Sequence, residues 1–460
     1  MGETPPTARI RTEELPERRD PAPGGTEQQA PDPGMVRRAA FSGAAGFFME
    51  TYDFGIYGLV AAYLSVEFFA STNTTTALLL TWAVFAIPFV VRPIGGLVLG
   101  AIGDRLGRKK VMLLSIAAIA LATAAIGVIP PYAAIGVAAP LAVLVARLLQ
   151  GFVYGGETAN AITFVGEWTP AAKRASRLAW VQCGSSTGQL FGSTLAFALS
   201  AILGPVLMQA WGWRVLFLVA LPLAAIGIYI RFKIDETPAF RALQEAGEVS
   251  ANPVAATFRD PATRRAMAQC FLLGALFAAG FYTIYIQLPA YLVRAVGFSG
   301  SEGLLLTLVG LAFLLLCTPA WGYAADRLGR RRLGLWSSVV LACGVVPGFM
   351  MISGQGGFAV ALTGVLLLTV VYAAQNALAL GTIFEVLTTR TRSTAFSISW
   401  GVCAALFGGA APFASTALIA LTGWAASPAL IVVVAAVCTA AGFLWFRERT
   451  TPPAAAPAGA

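Results

Sequence analysis

The sequence predicts an all-α integral membrane protein whose twelve transmembrane helices form two six-helix pseudo-repeat bundles. Hydrophobic residues make up 57% of the 460 residues and charged residues only 12%, which is about half the charge of a typical soluble chain. Apolar stretches long enough to cross a bilayer recur from about residue 39 to residue 446. They are continuous rather than alternating in polarity, so a transmembrane β-barrel is excluded.

The predicted spans follow one another along the chain, separated by short polar or Gly/Pro-containing connections. They are span 1 (39–65), span 2 (77–101), span 3 (111–130), span 4 (134–160), span 5 (177–204), span 6 (213–232), span 7 (266–293), span 8 (303–324), span 9 (333–351), span 10 (357–383), span 11 (393–421) and span 12 (428–446). Residues 1–34 are rich in Pro, Glu, Arg and Gly. They contain too few apolar groups to fold, so we expect a disordered tail there and another at 447–460.

Basic residues are concentrated in alternate connections between the spans. One set holds groups of Arg and Lys, at 105–110, 173–177, 231–265, 327–332 and 390–392, whereas the other set contains a single basic residue, Arg294. Because cytoplasmic loops carry the excess of Lys and Arg, the first set and both termini are predicted to be cytoplasmic. This topology accounts for the net charge of +9 without a nucleic-acid partner, and predicts a multi-pass protein of the cytoplasmic membrane.

Two sequence features recur at nearly the same offset, which indicates an internal duplication. The segment GDRLGRKK at 103–110 returns as ADRLGRRR at 325–332. A Glu followed seven residues later by an Arg occurs as Glu167 with Arg174 and again as Glu385 with Arg392. Transporters are commonly built from such repeats, with the substrate site near the bilayer midplane between them.

The duplication divides the chain into two halves. We predict an N-terminal six-helix bundle at 35–232, a cytoplasmic linker at 233–265 and a C-terminal six-helix bundle at 266–446.

The repeated segment GDRLGRKK resembles the signature of the major facilitator superfamily. Further motifs resemble its metabolite:proton symporter family, which includes bacterial carriers for 2-oxoglutarate, citrate, shikimate, and proline or betaine. These motifs are ETYDF at 50–54, RPIGG at 92–96, RLLQG at 147–151 with GGE at 155–157, GWR at 212–214 and DETPAF at 235–240. The resemblance runs from about 38 to 446, and it implies the major facilitator fold and proton-coupled solute transport by alternating access.

Span 1 carries two carboxylates, Glu50 and Asp53, near the middle of the membrane if the span is helical. An ionisable group at that depth is costly, which favours a functional role over a structural acid paired with a basic residue. The chain contains no histidine, the side chain that usually titrates near neutral pH. A coupled proton should therefore sit on a buried carboxyl group, and the candidates are Asp53, Glu50 and Glu157.

Two arginines lie at a similar depth. Arg92 in span 2 is roughly 16 Å from the end of its span at Gly103, and Arg147 is comparably deep in span 4. Arginine stays ionised and offers a planar fork to a carboxylate, so we expect one or both to hold an anionic substrate group. The alternative for Arg92 is a permanent pair with Glu50 or Asp53 that holds spans 1 and 2 in register.

Other polar and aromatic side chains within the spans are candidates for lining a substrate cavity. They are Tyr57, Gln182, Tyr282, Tyr285 and Gln375. The alternatives for these side chains are an interfacial aromatic belt and hydrogen bonds between helices.

The resemblance to the superfamily also implies a charge-linked latch between helices that favours one access state. Its expected members are Asp104, Arg105, Arg108, Glu167, Arg174, Asp326, Arg327, Glu385 and Arg392.

The sequence thus favours a secondary active transporter that carries a small organic carboxylate with protons by alternating access. The alternatives are a zwitterionic solute such as proline or betaine, or a proton-independent facilitator. An enzyme is disfavoured because HExxH is absent, and a primary pump because Walker A is absent. We expect a monomer without cofactor or metal, whose partners are a small-molecule substrate, protons and the lipid bilayer.

Overall fold

The computed structural model describes residues 33–69, 73–106, 108–154, 174–232, 258–354, 356–387 and 392–446, and their regular structure is helical. Most of the predicted tails and residues 233–257 of the predicted linker lie outside these ranges. The first described helix begins at Pro33, inside the predicted tail. The helix of span 7 begins at Pro261, inside the predicted linker.

The early start of span 7 has a local cause. The carboxylate of Asp260 accepts hydrogen bonds from the backbone N–H groups of Ala262 and Thr263, both at 3.1 Å, and thereby caps the helix. The hydroxyl of Thr263 also donates to it, and these hydrogen bonds hold the pKa of Asp260 below its usual value. The cap therefore stays charged at neutral pH.

The first half of the molecule contains spans 1–6. Its helices are Pro33–Leu59 and Ala61–Phe68 (span 1), Thr74–Leu106 (span 2), Arg108–Val128 (span 3), Tyr132–Ile135 in the next connection, Ala138–Tyr154 (span 4), Arg174–Leu207 (span 5), and Trp213–Leu218 with Ala220–Phe232 (span 6).

The second half contains spans 7–12. Its helices are Pro261–Phe281 with Leu288–Tyr291 (span 7), Gly300–Leu328 (span 8), Arg330–Ser353 (span 9), Gly357–Val386 (span 10), Arg392–Cys403 with Ala411–Thr422 (span 11), and Ala429–Trp445 (span 12). Wider π-helical turns interrupt span 7 at Tyr282–Ile286 and Leu292–Val296, and span 11 at Ala404–Gly409.

Seven helical segments of the described residues are long and apolar enough to cross a bilayer, and shorter apolar helices occur at Leu113–Val128, Ala138–Tyr154 and Ala429–Trp445. One of the seven, Ala175–Tyr229, has 55 residues, far more than the roughly 20 that one crossing needs. It is broken at Gly204, whose φ of 70° and ψ of 175° are not helical, and Pro205 follows. This break separates spans 5 and 6 at the boundary that the sequence predicts.

The two halves pack against each other through spans 1, 2 and 5 of the first half and spans 7, 8, 10 and 11 of the second. We call the face that carries residues 325–332, between spans 8 and 9, the motif face, and the opposite one the far face. On the far-face side, Gly58 approaches Ile286 so closely that an added Cβ would lie 2.4 Å from a methyl group of Ile286. A small residue is therefore needed where span 1 meets span 7.

Candidate functional site

The acidic pair of span 1 turns toward two different partners. Nη1 of Arg92 lies 3.1 Å from Oε1 of Glu50, and both side chains are mostly buried. This is the pairing that the sequence offered as the alternative to substrate binding by Arg92. The ion pair joins spans 1 and 2 and compensates both charges.

Asp53 lies inside the first half and is 6% exposed. The hydroxyl of Tyr154 donates a hydrogen bond to Oδ2 of Asp53 at 2.8 Å. The side chain of Thr123 is a second hydrogen-bond partner of the same carboxyl group. Spans 3 and 4 therefore hold this carboxyl group in place, and no guanidinium of the described residues lies within ion-pair distance of it.

Arg147 of span 4 is fully buried. Its Nη1 donates to Oε1 of Gln150 at 3.0 Å, and its Nη2 donates to the carbonyl oxygen of Phe85 at 3.2 Å. No carboxylate of the described residues lies within ion-pair distance of this guanidinium, and its Nε has no hydrogen-bond partner there. Arg147 is thus a buried cation held by neutral groups.

A chain of hydrogen bonds connects Arg147 with Asp53. Nε2 of Gln150 donates to the hydroxyl of Thr123 at 2.7 Å, and Thr123 in turn bonds to Asp53. A hydroxyl can accept one hydrogen bond while it donates another. The cation and the acid are therefore coupled through two neutral side chains.

Aromatic rings surround both arginines and reach across to the second half. We call this set the aromatic cluster, and its members are Phe54, Tyr57, Phe85, Phe89, Tyr154 and Tyr282. The guanidinium carbon of Arg147 lies 4.5–5.1 Å from the ring centroids of Tyr57, Phe54 and Phe85, and that of Arg92 lies 4.4–5.4 Å from those of Phe54, Phe89 and Tyr154. These distances are within the range of cation–π attraction.

Tyr282 brings the second half into this cluster. Its ring centroid is 5.9 Å from that of Phe85 and 5.4 Å from that of Phe89. Tyr282 opens the π-helical turn of span 7, and such turns occur frequently at functional sites. The structure therefore brings Glu50, Asp53, Arg92, Arg147, Tyr57 and Tyr282 of the predicted residues together.

Two predicted substrate residues, Tyr285 and Gln375, have their contacts elsewhere. The hydroxyl of Tyr285 donates to that of Thr369 at 2.9 Å, between spans 7 and 10. The amide nitrogen of Gln375 donates to the carbonyl oxygen of Gly334 and bonds to the hydroxyls of Ser337 and Ser338, between spans 9 and 10. Gln182 is buried in span 5.

The hydrogen bonds of Tyr285 and Gln375 connect helices of the second half and do not involve Arg92 or Arg147. In the part of the chain that is described, these two side chains fit the alternative of hydrogen bonds between helices.

Span 5 contributes further buried polar groups next to span 1. Gln189 is fully buried, and neither its Oε1 nor its Nε2 has a hydrogen-bond partner in the described part of the chain. The neighbouring hydroxyls of Ser186 and Ser193 also have no hydrogen-bond partner among the described residues. An added Cβ on Gly55 would lie 1.7 Å from Oε1 of Gln189, so this amide occupies the gap that Gly55 leaves in span 1.

A small cavity of about 20 Å³ lies inside the first half beside the acids. Spans 1, 3, 4 and 6 line it, and Glu50, Tyr52, Asp53 and Tyr154 provide its polar side-chain groups. The remaining lining is apolar, including Met49 and Ile116. The two carboxyl groups thus border a space within one bundle, separate from the surface where the halves meet.

At the motif face, Asp326 connects the two halves. Its carboxylate accepts hydrogen bonds from the backbone N–H groups of Ala175 at 3.1 Å and Ser176 at 3.0 Å, at the start of span 5. Arg330 lies 3.5 Å from Asp326 and also forms an ion pair with Glu385 of span 10. The start of span 5 is therefore tied to spans 8, 9 and 10.

The other expected latch residues are less fully described. Arg327 is exposed. The side chains of Asp104, Arg105, Arg108, Arg174 and Arg392 lie outside the described part of the structure, as do residues Glu157 and Glu167 altogether. Among the described side chains Glu385 pairs with Arg330, and its predicted association with Arg392 stays a prediction because the side chain of Arg392 is not described.

Comparisons with known proteins give a consistent pattern. The family model described as Major Facilitator Superfamily matches residues 43–410. The chain is 32% identical over 430 residues to the "Glycine betaine/proline/ectoine/pipecolic acid transporter OusA" of Dickeya dadantii, covering 92% of this chain and 85% of that protein. It is 31% identical over 436 residues to the "Proline/betaine transporter" of Escherichia coli K12, with the same shares.

A third relative has a substrate of another class. The "Citrate-proton symporter" of Klebsiella pneumoniae is 31% identical over 394 residues, covering 86% of this chain and 88% of that protein. Among solved structures, a D-xylose-proton symporter superposes with a TM-score of 0.71 at 16% identity, covering 90% of this chain and 98% of that one. At that identity the superposition supports the fold alone.

Proposed function

The chain belongs to the Major Facilitator Superfamily and is a membrane transporter rather than an enzyme, and from this premise we propose that it takes up small zwitterions of the proline and betaine class together with protons. The sequence alone favoured an organic carboxylate and kept the zwitterion as the alternative. Relatives named for proline, betaine or ectoine support the zwitterion.

One observation carries this choice of substrate. Of the two deep arginines, Arg92 is already compensated by Glu50, whereas Arg147 has no carboxylate partner in the described part of the chain. One free cation matches one substrate carboxylate, for which the guanidinium provides a planar fork. The rings around Arg147 can receive the ammonium group of the same molecule through their faces.

In this proposal Asp53 carries the coupled proton. Support comes from its burial, its hydrogen bonds to Tyr154 and Thr123, and the path through Gln150 to Arg147. A substrate carboxylate at Arg147 offsets the positive charge that faces Asp53, so proton and substrate favour each other's binding. Such mutual coupling is what symport requires.

Alternating access would be a movement of the two halves about the aromatic cluster. Asp326 and the start of span 5 close the motif face, and the contact of Gly58 with Ile286 closes the far face. We propose that the motif face is cytoplasmic, because it carries the basic connections. Transporters of this architecture bind substrate between such halves.

Uptake by the full chain in proteoliposomes tests the proposal. Radiolabelled glycine betaine and proline should accumulate when the outside is made acidic, and a protonophore should abolish the accumulation. An excess of unlabelled citrate should leave uptake unchanged. Failure of both labelled solutes to accumulate under the gradient would contradict the proposed substrate class.

A second candidate substrate is a di- or tricarboxylate, which the citrate-proton symporter favours. It needs a second free cation, and Arg92 becomes one if Glu50 is protonated or moves away. Accumulation of labelled citrate, competed by other tricarboxylates but not by betaine, would decide for this candidate.

A further inference from the structure

A second cavity opens on the far face, away from the site described above. It measures about 120 Å³ and lies between spans 2, 7 and 11. Its mouth carries the exposed residues Thr74 and Arg294, and its inner end is formed by Trp82, Gln287 and Tyr291. These inner residues are nearly inaccessible, at 0%, 2% and 4% exposure. The cavity is therefore a funnel that closes before it reaches the centre of the molecule.

Two buried polar atoms at the closed end have no partner. They are the indole N–H of Trp82 and Oε1 of Gln287, neither of which makes a hydrogen bond within the described residues. A buried donor or acceptor without a partner is unfavourable. Because one atom donates and the other accepts, a single ligand that carries both an acceptor and a donor would satisfy them together.

Arg294 gives the funnel a positive charge. It is the only basic residue in the connections of this face, and no carboxylate of the described residues lies within ion-pair distance of it. It donates to the carbonyl oxygen of Ala62 at 3.3 Å, and a guanidinium has five N–H donors. The nearby Arg214, in contrast, is paired with Glu67 at 2.7 Å. Arg294 therefore keeps donors and charge for an anionic group.

Aromatic rings complete the funnel and lead inward. The hydroxyl of Tyr291 donates to the carbonyl oxygen of Ala425 at 3.0 Å, which fixes the ring at the cavity wall. The ring centroid of Trp82 is 5.5 Å from that of Phe85, and Phe85 contacts both Arg147 and Tyr282. Trp82, at the closed end of the funnel, thus contacts Phe85 of the aromatic cluster directly.

We propose that this funnel is an outer binding site, in which a small zwitterion docks before it passes to Arg147. Its carboxylate is attracted by Arg294 at the mouth and accepts a hydrogen bond from the indole N–H of Trp82 at the closed end. Its ammonium end faces Gln287 Oε1 and the ring of Tyr291, where a secondary ammonium donates a hydrogen bond and a quaternary one makes a cation–π contact. The ligand class rests on the proposed function, whereas the site rests on the cavity and its unpartnered atoms.

Equilibrium binding to the purified full chain tests this proposal, with radiolabelled proline and glycine betaine as probes. Wild type should bind two molecules per chain. Arg147→Gln should still bind the molecule in the outer site, and Arg294→Gln should still bind the molecule at Arg147. Arg294→Lys should keep part of the affinity of the outer site. Because a lost charge-assisted hydrogen bond costs about tenfold in affinity, Arg294→Gln should also raise the KM of uptake about tenfold with little change in Vmax.

Gln287→Leu provides an independent variant, since it keeps Arg294 and removes the buried acceptor. It should weaken proline more than glycine betaine, which has no N–H to donate. Tryptophan fluorescence gives a second readout: Trp82→Phe should remove the ligand-induced change that survives Arg147→Gln, whereas Trp424→Phe, an exposed tryptophan on the same face, should not.

Different results separate the possible failures. One bound molecule in wild type, lost completely in Arg147→Gln and unaffected in Arg294→Gln, would overturn the outer site and leave the proposed function intact. Absence of binding and of uptake for both probes in wild type would instead overturn the proposed function.

Discussion

Glu50 and Asp53 stand three residues apart in one helix, yet their surroundings give them different chemistry. Glu50 is compensated by a cation, whereas Asp53 is held by the hydroxyls of Tyr154 and Thr123. A neutral partner allows a carboxyl group to gain and lose a proton without leaving an unpaired cation behind. We therefore propose a structural role for Glu50 and the titrating role for Asp53.

Replacing Asp53 by asparagine should uncouple transport from the pH gradient, because the amide has nearly the same shape but cannot carry a proton. Each pH unit of gradient is worth about tenfold in accumulation, and this factor should vanish in proteoliposomes while solute exchange across the membrane continues. Asp53→Glu serves as the control, since it keeps a carboxyl group at this position and should keep part of the accumulation. Full pH-driven accumulation by Asp53→Asn would assign the proton to another group.

If the ion pair between Glu50 and Arg92 stabilises the protein, the effects of replacing each residue on the free energy of unfolding should not be additive. Glu50→Gln leaves a mostly buried guanidinium unpaired, which should destabilise the protein by about 3 kcal/mol and lower its Tm in detergent. The double variant Glu50→Gln with Arg92→Gln should recover most of this loss. Equal and additive effects of the two single variants would mean that the pair contributes nothing to stability.

The residues around Arg147 show what a sequence pattern can and cannot reveal. Arg147, Gln150 and Tyr154 follow one another at helical spacing on one face of span 4, so their common direction was available from the sequence. The sequence could not show that Thr123 of span 3 completes the hydrogen-bond path to Asp53, because this contact depends on how spans 3 and 4 pack. The predicted depth in the membrane placed Arg92 beside Glu50. It did not decide whether Arg92 binds substrate or pairs with an acid of span 1.

At the scale of the helix, boundaries followed from local chemistry and irregular turns did not. The predicted end of span 5 coincides with Gly204, where the sequence Gly-Pro removes helical backbone geometry and an N–H donor. The π-helical turns of spans 7 and 11 have no such signal in the sequence. In the sequence repeat, Arg330 occupies the position equivalent to Arg108. In the structure, Arg330 pairs with Asp326 and Glu385.

Two close helix contacts on opposite sides of the molecule should control which face opens. An added Cβ on Gly58 would lie 2.4 Å from a methyl group of Ile286, and one on Gly322 would lie 2.7 Å from Cβ of Ala179. Overpacking of this kind costs about 1–3 kcal/mol. Gly58→Ala should therefore disfavour closure of the far face, and Gly322→Ala closure of the motif face.

Maleimide labelling of a cysteine at position 290 measures these two effects. Ala290 is buried and lines the far-face cavity, so in the Ala290→Cys background its labelling rate should rise with Gly58→Ala and fall with Gly322→Ala. Changes in the same direction for both substitutions would show that they loosen the packing generally rather than shift the access equilibrium.

Across the whole molecule, the two halves are joined differently at their two faces. The far face is closed by apolar packing at Gly58 and by one hydrogen bond from Arg294 to Ala62. The motif face is closed by a carboxylate of span 8 that caps a helix of the other half. Because a helix N-terminus attracts negative charge, this cap ties the access state to the charge of Asp326.

Asp326→Asn should weaken closure of the motif face, since the neutral amide loses the attraction to the start of span 5 and to Arg330. Losing the negative charge at a helix N-terminus costs about 0.3–1 kcal/mol, and about 1 kcal/mol changes the ratio of two access states about fivefold. Hydrogen exchange of the amides of Ala175 and Ser176 should accelerate by that factor, and the initial rate of uptake should change with it.

Asp260 offers a matched control for this prediction. It also caps a helix through two backbone N–H groups, but its helix belongs to the same half of the molecule. Asp260→Asn should therefore accelerate exchange only at the start of span 7 and leave uptake unchanged. If Asp260→Asn alters uptake as much as Asp326→Asn does, loss of a helix cap as such explains the effect. If only Asp326→Asn does so, the junction between the halves sets the access equilibrium.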